Sequence, residues 1–321
     1  MRAVVSTESG AQLRDMPMPE CKADDILVRV RACALNRADL NSVAAKSGKI
    51  IGMEWAGEVV DVGSSAQRFR PGDRVMCGGT EAFAEFAVTD WGRACPMPKN
   101  AISFAQFDFN HAAALPIALQ TMHDAVVTNG RLAAGETVLV QGASSGVGLM
   151  ALQIAKHRGA AKVIGTSTHA GRRARLGDYG ADLALDSKDP GWVKAVQEAT
   201  GGRGVDLIID VVSGPLANQN MEAAAVCGRI VSVGRLGGTS GQFDFNLHAL
   251  KRISFIGVTF RTRSVQEIRD LNAKMTADLS DAVASEALRM PVDKIFPLDQ
   301  AAGAFEHMRT NQHFGKVVLS L

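Results

Sequence analysis

A glycine-rich turn in the middle of the chain has the residue types that bind nucleotide phosphates. The stretch 138–148 reads VLVQGASSGVG, an apolar run that enters a turn of glycines and serines. Its spacing fits Gly-x-x-x-Gly-x-Gly from Gly142, or a weakened Gly-x-Gly-x-x-Gly with Ala143 and Ser145 at the first two glycine positions and Gly148 at the third. The apolar run before it and the helical ALQIAK after it favour a dinucleotide site, because a helix N-terminus attracts a pyrophosphate.

The choice between the two patterns decides the class of enzyme. The first pattern is typical of short-chain reductases, which also carry a Tyr-x-x-x-Lys catalytic pair. Tyr179 is the single tyrosine of the chain, and Leu183 stands four positions after it. Short-chain reductases place this loop near the N-terminus, whereas 137 residues precede Val138 here. The second pattern is therefore favoured.

Composition and net charge limit the kinds of partner that we expect for this chain. The 321 residues are 46% hydrophobic and carry a formal charge of only +2, so a large core is expected and neither nucleic acid nor a membrane is an expected partner. No apolar run has the length of a signal peptide core or a membrane span. The five cysteines are odd in number and lack a Cys-x-x-Cys pair, which indicates a reducing compartment. We expect a cytoplasmic protein with a small-molecule partner.

The order of elements predicts two domains. Short strand-like runs fill the first 110 residues or so, at 3–5, 26–34, 56–62, 74–77 and 82–88. Helical periodicity begins at His111, and from Val138 six apolar runs alternate with helical stretches, at 138–140, 163–165, 183–185, 207–211, 230–233 and 253–258. Such alternation predicts a doubly wound parallel sheet. The tail after Phe260 has too few strands for its own domain, so we expect it to return and complete the first one.

Several motifs extend the comparison over nearly the whole chain. They are ALNRADL (34–40), GME (52–54), RPGDRV (70–75), AAALP (112–116), GETVLVQGASSGVG (135–148), GAD (180–182), GRIV (228–231) and GKVVL (315–319). In this order they resemble the zinc-free quinone oxidoreductase branch, which includes zeta-crystallin, of the medium-chain dehydrogenase/reductase superfamily. The resemblance implies an α/β fold with a Rossmann-type domain at 118–260 and a GroES-like, β-barrel-type catalytic domain formed by 1–117 and 261–321. It also implies a homodimer joined through the last strand of the Rossmann sheet.

The resemblance also bears on metal chemistry. Zinc enzymes of the superfamily hold their catalytic metal with a Cys and a His at the positions of Asn36 and Met53. An amide and a thioether do not replace thiolate and imidazole as ligands of zinc, so no metal site is expected. Asn36 and Asp39 are the expected catalytic residues, with Asn36 orienting an acceptor carbonyl near the nicotinamide or, alternatively, only capping its turn. Asp39 and Glu54 are each expected to hold local structure.

The cofactor predicted from these residues is NADPH. No acidic residue follows the second strand before Asp178, so a ribose 2′-hydroxyl lacks its usual acceptor and a 2′-phosphate is favoured. The resemblance places Arg172 at that phosphate, and Ser167 and Thr168 add hydroxyl donors; a solvated basic helix face is the alternative for Arg172. The remaining expected cofactor contacts are Ser145, Gly146, Val147, Gly148, Thr166, Val233, Gly234, Arg263 and Lys316. For Arg263 and Lys316 a surface salt bridge is the alternative.

Three functions stay open from the sequence. The first is metal-free hydride transfer from NADPH to a quinone, because quinones accept hydride without Lewis-acid activation. The second is reduction of an alkenal or enone double bond, which has the same requirement. The third is a redox sensor that binds NADPH without turnover.

Overall fold

The chain folds into two compact units. The computed structural model describes residues 1–98 and 108–321. One unit joins Met1–Gln120 with Arg263–Leu321 and is called the N/C unit below, and the other, the central unit, is Thr121–Thr262.

The first part of the N/C unit is rich in strands, as the sequence predicts. Its elements are β1 (Arg2–Thr7), β2 (Gly10–Asp15), β3 (Asp25–Ala34), α1 (Asp39–Ala44), β4 (Glu54–Val62), β5 (Arg74–Gly78), β6 (Phe86–Asp90), β7 (Ala94–Pro96), α2 (Phe109–Ala113) and α3 (Pro116–Met122). A 3-10 turn, Trp91–Arg93, separates β6 from β7. Helix α3 spans the boundary between the two units.

The central unit alternates strands and helices. After a π-helical segment, His123–Asn129, come β8 (Thr137–Gln141), α4 (Gly146–His157), β9 (Lys162–Thr166), α5 (Ala170–Arg173), β10 (Leu183–Leu185), α6 (Trp192–Ala199), β11 (Val205–Asp210), α7 (Ala217–Ala223), β12 (Ala224–Ser232), α8 (Phe245–Lys251) and β13 (Ser254–Gly257). Two 3-10 turns, Leu176–Tyr179 and Gly214–Leu216, precede β10 and α7.

The last part of the chain belongs to the N/C unit. It contains α9 (Val265–Ala284), β14 (Val292–Pro297), a 3-10 turn at Leu298–Gln300, α10 (Ala301–Arg309) and β15 (Lys316–Ser320). Strand β15 pairs antiparallel with β3, with Val318 opposite Ala34, and parallel with β14. Strand β15 thus joins the end of the chain to the sheet that contains β3.

The N/C sheet has the strand order β14-β15-β3-β4-β5-β7, and β6 also pairs with β3. Its core contains Trp55, Phe83 and Phe305, all nearly inaccessible to solvent. The predicted strand at 82–88 is shifted, because Ala84 makes an isolated bridge to Ala3 of β1 and the ladder with β3 begins only at Phe86.

The central sheet has the order β10-β9-β8-β11-β12-β13, and every pairing in it is parallel. This is the doubly wound arrangement, with the order reversing between β8 and β11. All six strands lie on the predicted apolar runs. Leu139, Ile208 and Ile230 on three of them are fully buried in the core, as a sheet covered on both faces requires. Among the described residues, no helix combines the length and apolar character needed to cross a membrane.

Candidate functional site

Asn36 lies two residues after the end of β3 and opens a tight turn. The backbone N–H of Leu35 donates to the carbonyl of Val317 on β15 at 2.9 Å, which fixes the end of β3. The N–H of Asp39 then donates to the Asn36 carbonyl at 2.9 Å, and the N–H of Asn36 donates to Oδ2 of Asp39 at 2.7 Å. The turn is closed by the Asp39 side chain, so the Asn36 amide is not needed to cap it.

The Asn36 amide is instead held at both ends. Its Nδ2 donates to Oε1 of Glu54 at 2.9 Å, and its Oδ1 accepts from Nζ of Lys316 at 2.7 Å. Lys316 and Glu54 also form an ion pair with each other. These contacts fix which end of the amide is donor and which is acceptor, and among the residues that the structure describes one N–H of Nδ2 has no partner beyond the bond to Glu54.

Glu54 has a third donor at the start of α3. The N–H of Ile117 donates to its Oε2 at 2.9 Å, next to Pro116 at the first helical position. A carboxylate at this end of a helix is favoured by the orphan N–H groups and by the helix dipole. The Glu54 side chain is 0% exposed and that of Lys316 is 5% exposed, so this ion pair is buried.

The chain brings Lys316 to this position through Gly315. Gly315 has a φ of +93°, and a Cβ there would lie 2.1 Å from the carbonyl oxygen of Pro291. That carbonyl accepts the Lys316 N–H at 2.9 Å as β15 begins. Glycine is therefore required before the lysine. A Lys316 contact with a cofactor stays a prediction, and the observed partners of this side chain are Asn36 and Glu54.

Asp39 is buried beside the cluster that Asn36, Glu54 and Lys316 form. Within the described parts of the chain its Oδ1 has no hydrogen-bond partner. The pKa of the Asp39 carboxyl is raised to about 7, mainly by burial; the charge of Glu54 acts in the same direction, whereas the bond from the Asn36 N–H and the charge of Lys316 lower the pKa. One cation, Lys316, thus faces two buried carboxyl groups, and the one without its own ion pair holds a proton more readily.

The glycine loop of the central unit joins β8 to α4. Ser145 is the N-cap of α4: its Oγ accepts from the Gly148 N–H at 3.1 Å and donates to the Gly142 carbonyl at 2.9 Å. The first N–H groups of a helix have no acceptor within it, and the cap uses only that of Gly148. The amides of Gly146 and Val147 are therefore the ones available to an anion.

The loop is also too tight for a side chain at its third glycine position. A Cβ on Gly148 would lie 2.5 Å from the carbonyl oxygen of Gly142. The bare backbone lets the first turn of α4 pack on the loop, the close approach that a dinucleotide pyrophosphate requires. The residues present therefore fit a dinucleotide cofactor.

The predicted contacts after β9 occupy different environments. Thr166 is fully buried, and its hydroxyl donates to Oε1 of Gln141 at 2.7 Å. The Ser167 hydroxyl lies 2.9 Å from that of Ser144 in the glycine loop, which links the two segments. Thr168 is exposed and Arg172, on α5, is half-buried. Their contact with a 2′-phosphate stays a prediction.

The remaining predicted contacts lie in both units. Val233 and Gly234 follow β12, and their N–H groups donate to the carbonyl of Asp210 at 2.8 and 3.2 Å. Arg263 belongs to the N/C unit and directly precedes Ser264, the N-cap of α9. The structure thus groups Asn36, Asp39 and Lys316 in one unit, and the glycine loop with the segment after β9 in the other.

Sequence reasoning missed the pairing of Lys316 with Glu54, although it named both residues. The lysine and the carboxylate are 262 positions apart, and no local pattern signals such a contact. Among the described residues, no group of three or more His, Cys, Asp or Glu side chains is arranged to hold a metal ion.

Family models match both parts of the chain. A model described as alcohol dehydrogenase GroES-like domain matches residues 22–99, and one described as zinc-binding dehydrogenase matches residues 146–277.

Relatives of two kinds are similar to the chain. Human quinone oxidoreductase is 28% identical over 338 residues, covering 100% of this chain and 98% of that protein. The highly reducing polyketide synthase easB of Emericella nidulans is 27% identical over 312 residues. That match covers 96% of this chain but 12% of the synthase, and the hybrid synthetase pyvA of Aspergillus violaceofuscus is matched over 8% of its length. The chain therefore spans about a tenth of these larger relatives.

Solved structures share the whole fold. A probable oxidoreductase from Mycobacterium abscessus is 30% identical with a TM-score of 0.86, covering 100% of this chain and 99% of that one. A mycobacterial protein solved with NADPH is 26% identical with a TM-score of 0.86, and coverage is 100% of both chains. An NAD-dependent alcohol dehydrogenase is 28% identical, with the same TM-score and full coverage of both chains.

These findings and the two-unit fold define an oxidoreductase of the medium-chain dehydrogenase/reductase superfamily. Within that superfamily, the chain belongs to the quinone oxidoreductase branch. The predicted combination of a Rossmann-type sheet with a GroES-like unit is confirmed.

Proposed function

We propose that this protein is an NADPH-dependent quinone oxidoreductase that works without a metal. The observation that carries the proposal is the Asn36 amide held between Lys316 and Glu54. An ammonium bonded to the amide oxygen disfavours a divalent cation at the same atom. The same arrangement suits an amide whose remaining N–H binds a neutral carbonyl. Quinones carry such carbonyls and accept hydride without a Lewis acid.

The cofactor is assigned to the central unit. Gly146 and Val147 offer their N–H groups to the pyrophosphate, and Arg172, Ser167 and Thr168 hold the 2′-phosphate. Val233 and Gly234 of the central unit are proposed for the nicotinamide half, and Arg263 and Lys316 of the N/C unit are proposed as additional cofactor contacts. When bound, NADPH supplies the hydride.

The N/C unit orients the acceptor. Asn36 donates its second N–H to the acceptor carbonyl, and Lys316 strengthens that donor because a cation at the amide oxygen polarises the amide. Glu54 neutralises Lys316 and fixes the amide plane. Asp39 holds the turn that carries Asn36, and solvent supplies the proton to the product. In this proposal the catalytic unit is Met1–Gln120 with Arg263–Leu321.

Reduction of an alkenal or enone is the second candidate. The similarity of the whole chain to a segment of highly reducing polyketide synthases favours it. An amide N–H that binds a quinone carbonyl also binds the carbonyl of an enone, so this part of the structure does not separate the two substrates.

Oxidation of NADPH with a panel of quinones and a panel of enones tests the proposal. We expect turnover with quinones, and Asn36→Ala should lower kcat/KM about tenfold, the value of one hydrogen bond. Asn218→Ala removes an amide on α7 that accepts from the Asp244 N–H, and is the control. Turnover with enones alone would favour the second candidate. Tight NADPH binding without turnover on either panel would favour a sensor.

We also propose a homodimer joined through β13. This strand is the last of the central sheet, where Phe255 is 41% exposed and Phe245, on the adjacent α8, is 77% exposed. An apolar edge strand invites pairing with another chain, and a symmetric second copy satisfies it. Light scattering should report twice the chain mass at micromolar concentration, and Phe255→Lys should shift it to monomer. A wild-type monomer would contradict the proposal.

A further inference from the structure

Polar side chains lie beneath the glycine loop, in an otherwise apolar core. Gln141, Thr166 and Asp210 are the last residues of β8, β9 and β11, and Asn220 lies on α7. All four are fully buried. Buried polar groups are retained at a cost unless each finds a partner. Their position is specific, because ligands of parallel α/β sheets bind at the carboxyl ends of the strands.

The four side chains form one continuous chain of hydrogen bonds. The Thr166 hydroxyl donates to Oε1 of Gln141 at 2.7 Å, and Nε2 of Gln141 donates to Oδ1 of Asn220 at 2.8 Å. Nδ2 of Asn220 then donates to Oδ2 of Asp210 at 3.0 Å. Every bond runs in the same direction, from hydroxyl to carboxylate, so each amide uses its donor and its acceptor ends.

Both ends of this chain hold backbone turns. At one end the Gly142 N–H donates to the Thr166 hydroxyl at 3.1 Å, which anchors the start of the glycine loop. At the other end Oδ1 of Asp210 accepts from the N–H groups of Val212 and Ser213 at 2.8 and 2.9 Å. One network therefore fixes two turns that follow different strands.

The second turn is strained. Ser213 has φ 57° and ψ −156°, a region that is essentially confined to glycine. Its hydroxyl donates to the Gly234 carbonyl at 2.7 Å and lies 2.9 Å from that of Ser232. Such a conformation persists only where the surroundings enforce it. Here the enforcing contacts reach Gly234, one of the residues assigned above to the nicotinamide half.

We propose that Asn220, with Gln141 and Asp210, is a positioning residue that holds the glycine loop and the Ser213 turn in register for the two halves of one dinucleotide. This inference rests on the proposed cofactor site and adds residues that do not touch the cofactor. The network acts on backbone N–H groups at both turns, so it sets where the two halves bind.

Removal of the central amide tests the inference. Asn220→Ala cuts the chain in the middle, and Asn218→Ala is the matched control, because Asn218 lies on the same helix and accepts from the Asp244 N–H outside the network. Hydrogen exchange by mass spectrometry reports the amides of both turns, and calorimetry reports the Kd for NADPH. We expect exchange about tenfold faster at Gly142 and at Val212–Ser213, unchanged exchange in β12, and a Kd about tenfold weaker, as for one lost hydrogen bond.

A merely structural role would give a different pattern. If Asn220→Ala accelerates exchange equally throughout the central sheet, or leaves the Kd unchanged, the inference is overturned. Gln141→Met keeps the shape of the side chain and provides the same cut if Asn220→Ala does not fold. Wild-type protein that binds neither NADPH nor NADH would overturn the cofactor proposal itself. Normal binding with unaffected turns in the variants would overturn only the positioning role.

Discussion

Replacing Lys316 by methionine should destabilise the N/C unit strongly. The change keeps the length of the stem and removes the ammonium that pairs with Glu54 and bonds the Asn36 amide. Loss of one partner of a buried ion pair leaves the other charge uncompensated, which costs about 3–5 kcal/mol. Glu54 retains two donors, Asn36 Nδ2 and the Ile117 N–H, so we expect about 3 kcal/mol, at the lower end of that range.

A double variant tests whether the charges of Lys316 and Glu54 are coupled. Glu54→Gln in the Lys316→Met background removes the uncompensated carboxylate and keeps an acceptor for Ile117. The double variant should therefore be at least about 1 kcal/mol more stable than the sum of the single effects, the signature of direct coupling. Lys274→Met, an exposed lysine on α9, should stay within about 0.5 kcal/mol of wild type.

Urea unfolding followed by tryptophan fluorescence measures these effects. Trp55 is buried in the N/C unit, whereas Trp192 reports the central unit. A Trp192→Phe background therefore restricts the signal to the unit that contains the cluster. A Lys316→Met effect below about 1 kcal/mol, or strict additivity in the double variant, would refute a buried and coupled ion pair.

Three further outcomes follow from the structure. The pKa of Asp39, about 7, lies above the ordinary 3.8, so the protonated carboxyl stabilises the folded state. This contribution is complete below pH 4 and is lost as pH rises to 7, by on the order of 4 kcal/mol. Asp39→Asn should therefore make the urea midpoint less dependent on pH over this range, and an unchanged dependence would contradict the assignment. The Ser213→Gly variant should be about 1–2 kcal/mol more stable than Ser213→Ala, the reverse of the usual order, because glycine adopts this φ without strain and alanine does not. Equal unfolding midpoints for the two variants would argue against strain. Arg172→Ala should weaken NADPH binding about 10- to 100-fold and leave NADH binding unchanged, as expected for a lost charge-assisted bond. Arg175→Ala is the control. Equal losses of affinity for both cofactors in titration calorimetry would show that Arg172 does not bind the 2′-phosphate.

The sequence predicts those features that depend on local pattern. Apolar runs of strand length, separated by helical stretches, predict all six strands of the central sheet, and the glycine loop lies between β8 and α4 as expected. Strand β2 was missed because its residues are half-buried or exposed and lack an apolar alternation. Strand β7 has only three residues, too few for a periodic signal.

Contacts between distant residues were not predictable in the same way. The sequence predicts that Asp210 is part of an apolar strand, and nothing in its neighbours indicates that Asn220 and two backbone N–H groups surround its carboxylate. The resemblance predicts that Lys316 contacts a cofactor, whereas its observed partners depend on the pairing of β15 with β3. Such contacts follow from tertiary packing, which a single sequence does not display.

The return of the last strand also sets an order of events during synthesis. The central unit is one continuous segment, so it can fold as soon as its residues leave the ribosome. Until β15 is made, the edge of β3 that faces it is unpaired and Glu54 has no ammonium beside it. During synthesis the N/C unit therefore exposes an unpaired strand edge until its last strand is made, and such an edge favours pairing with other chains.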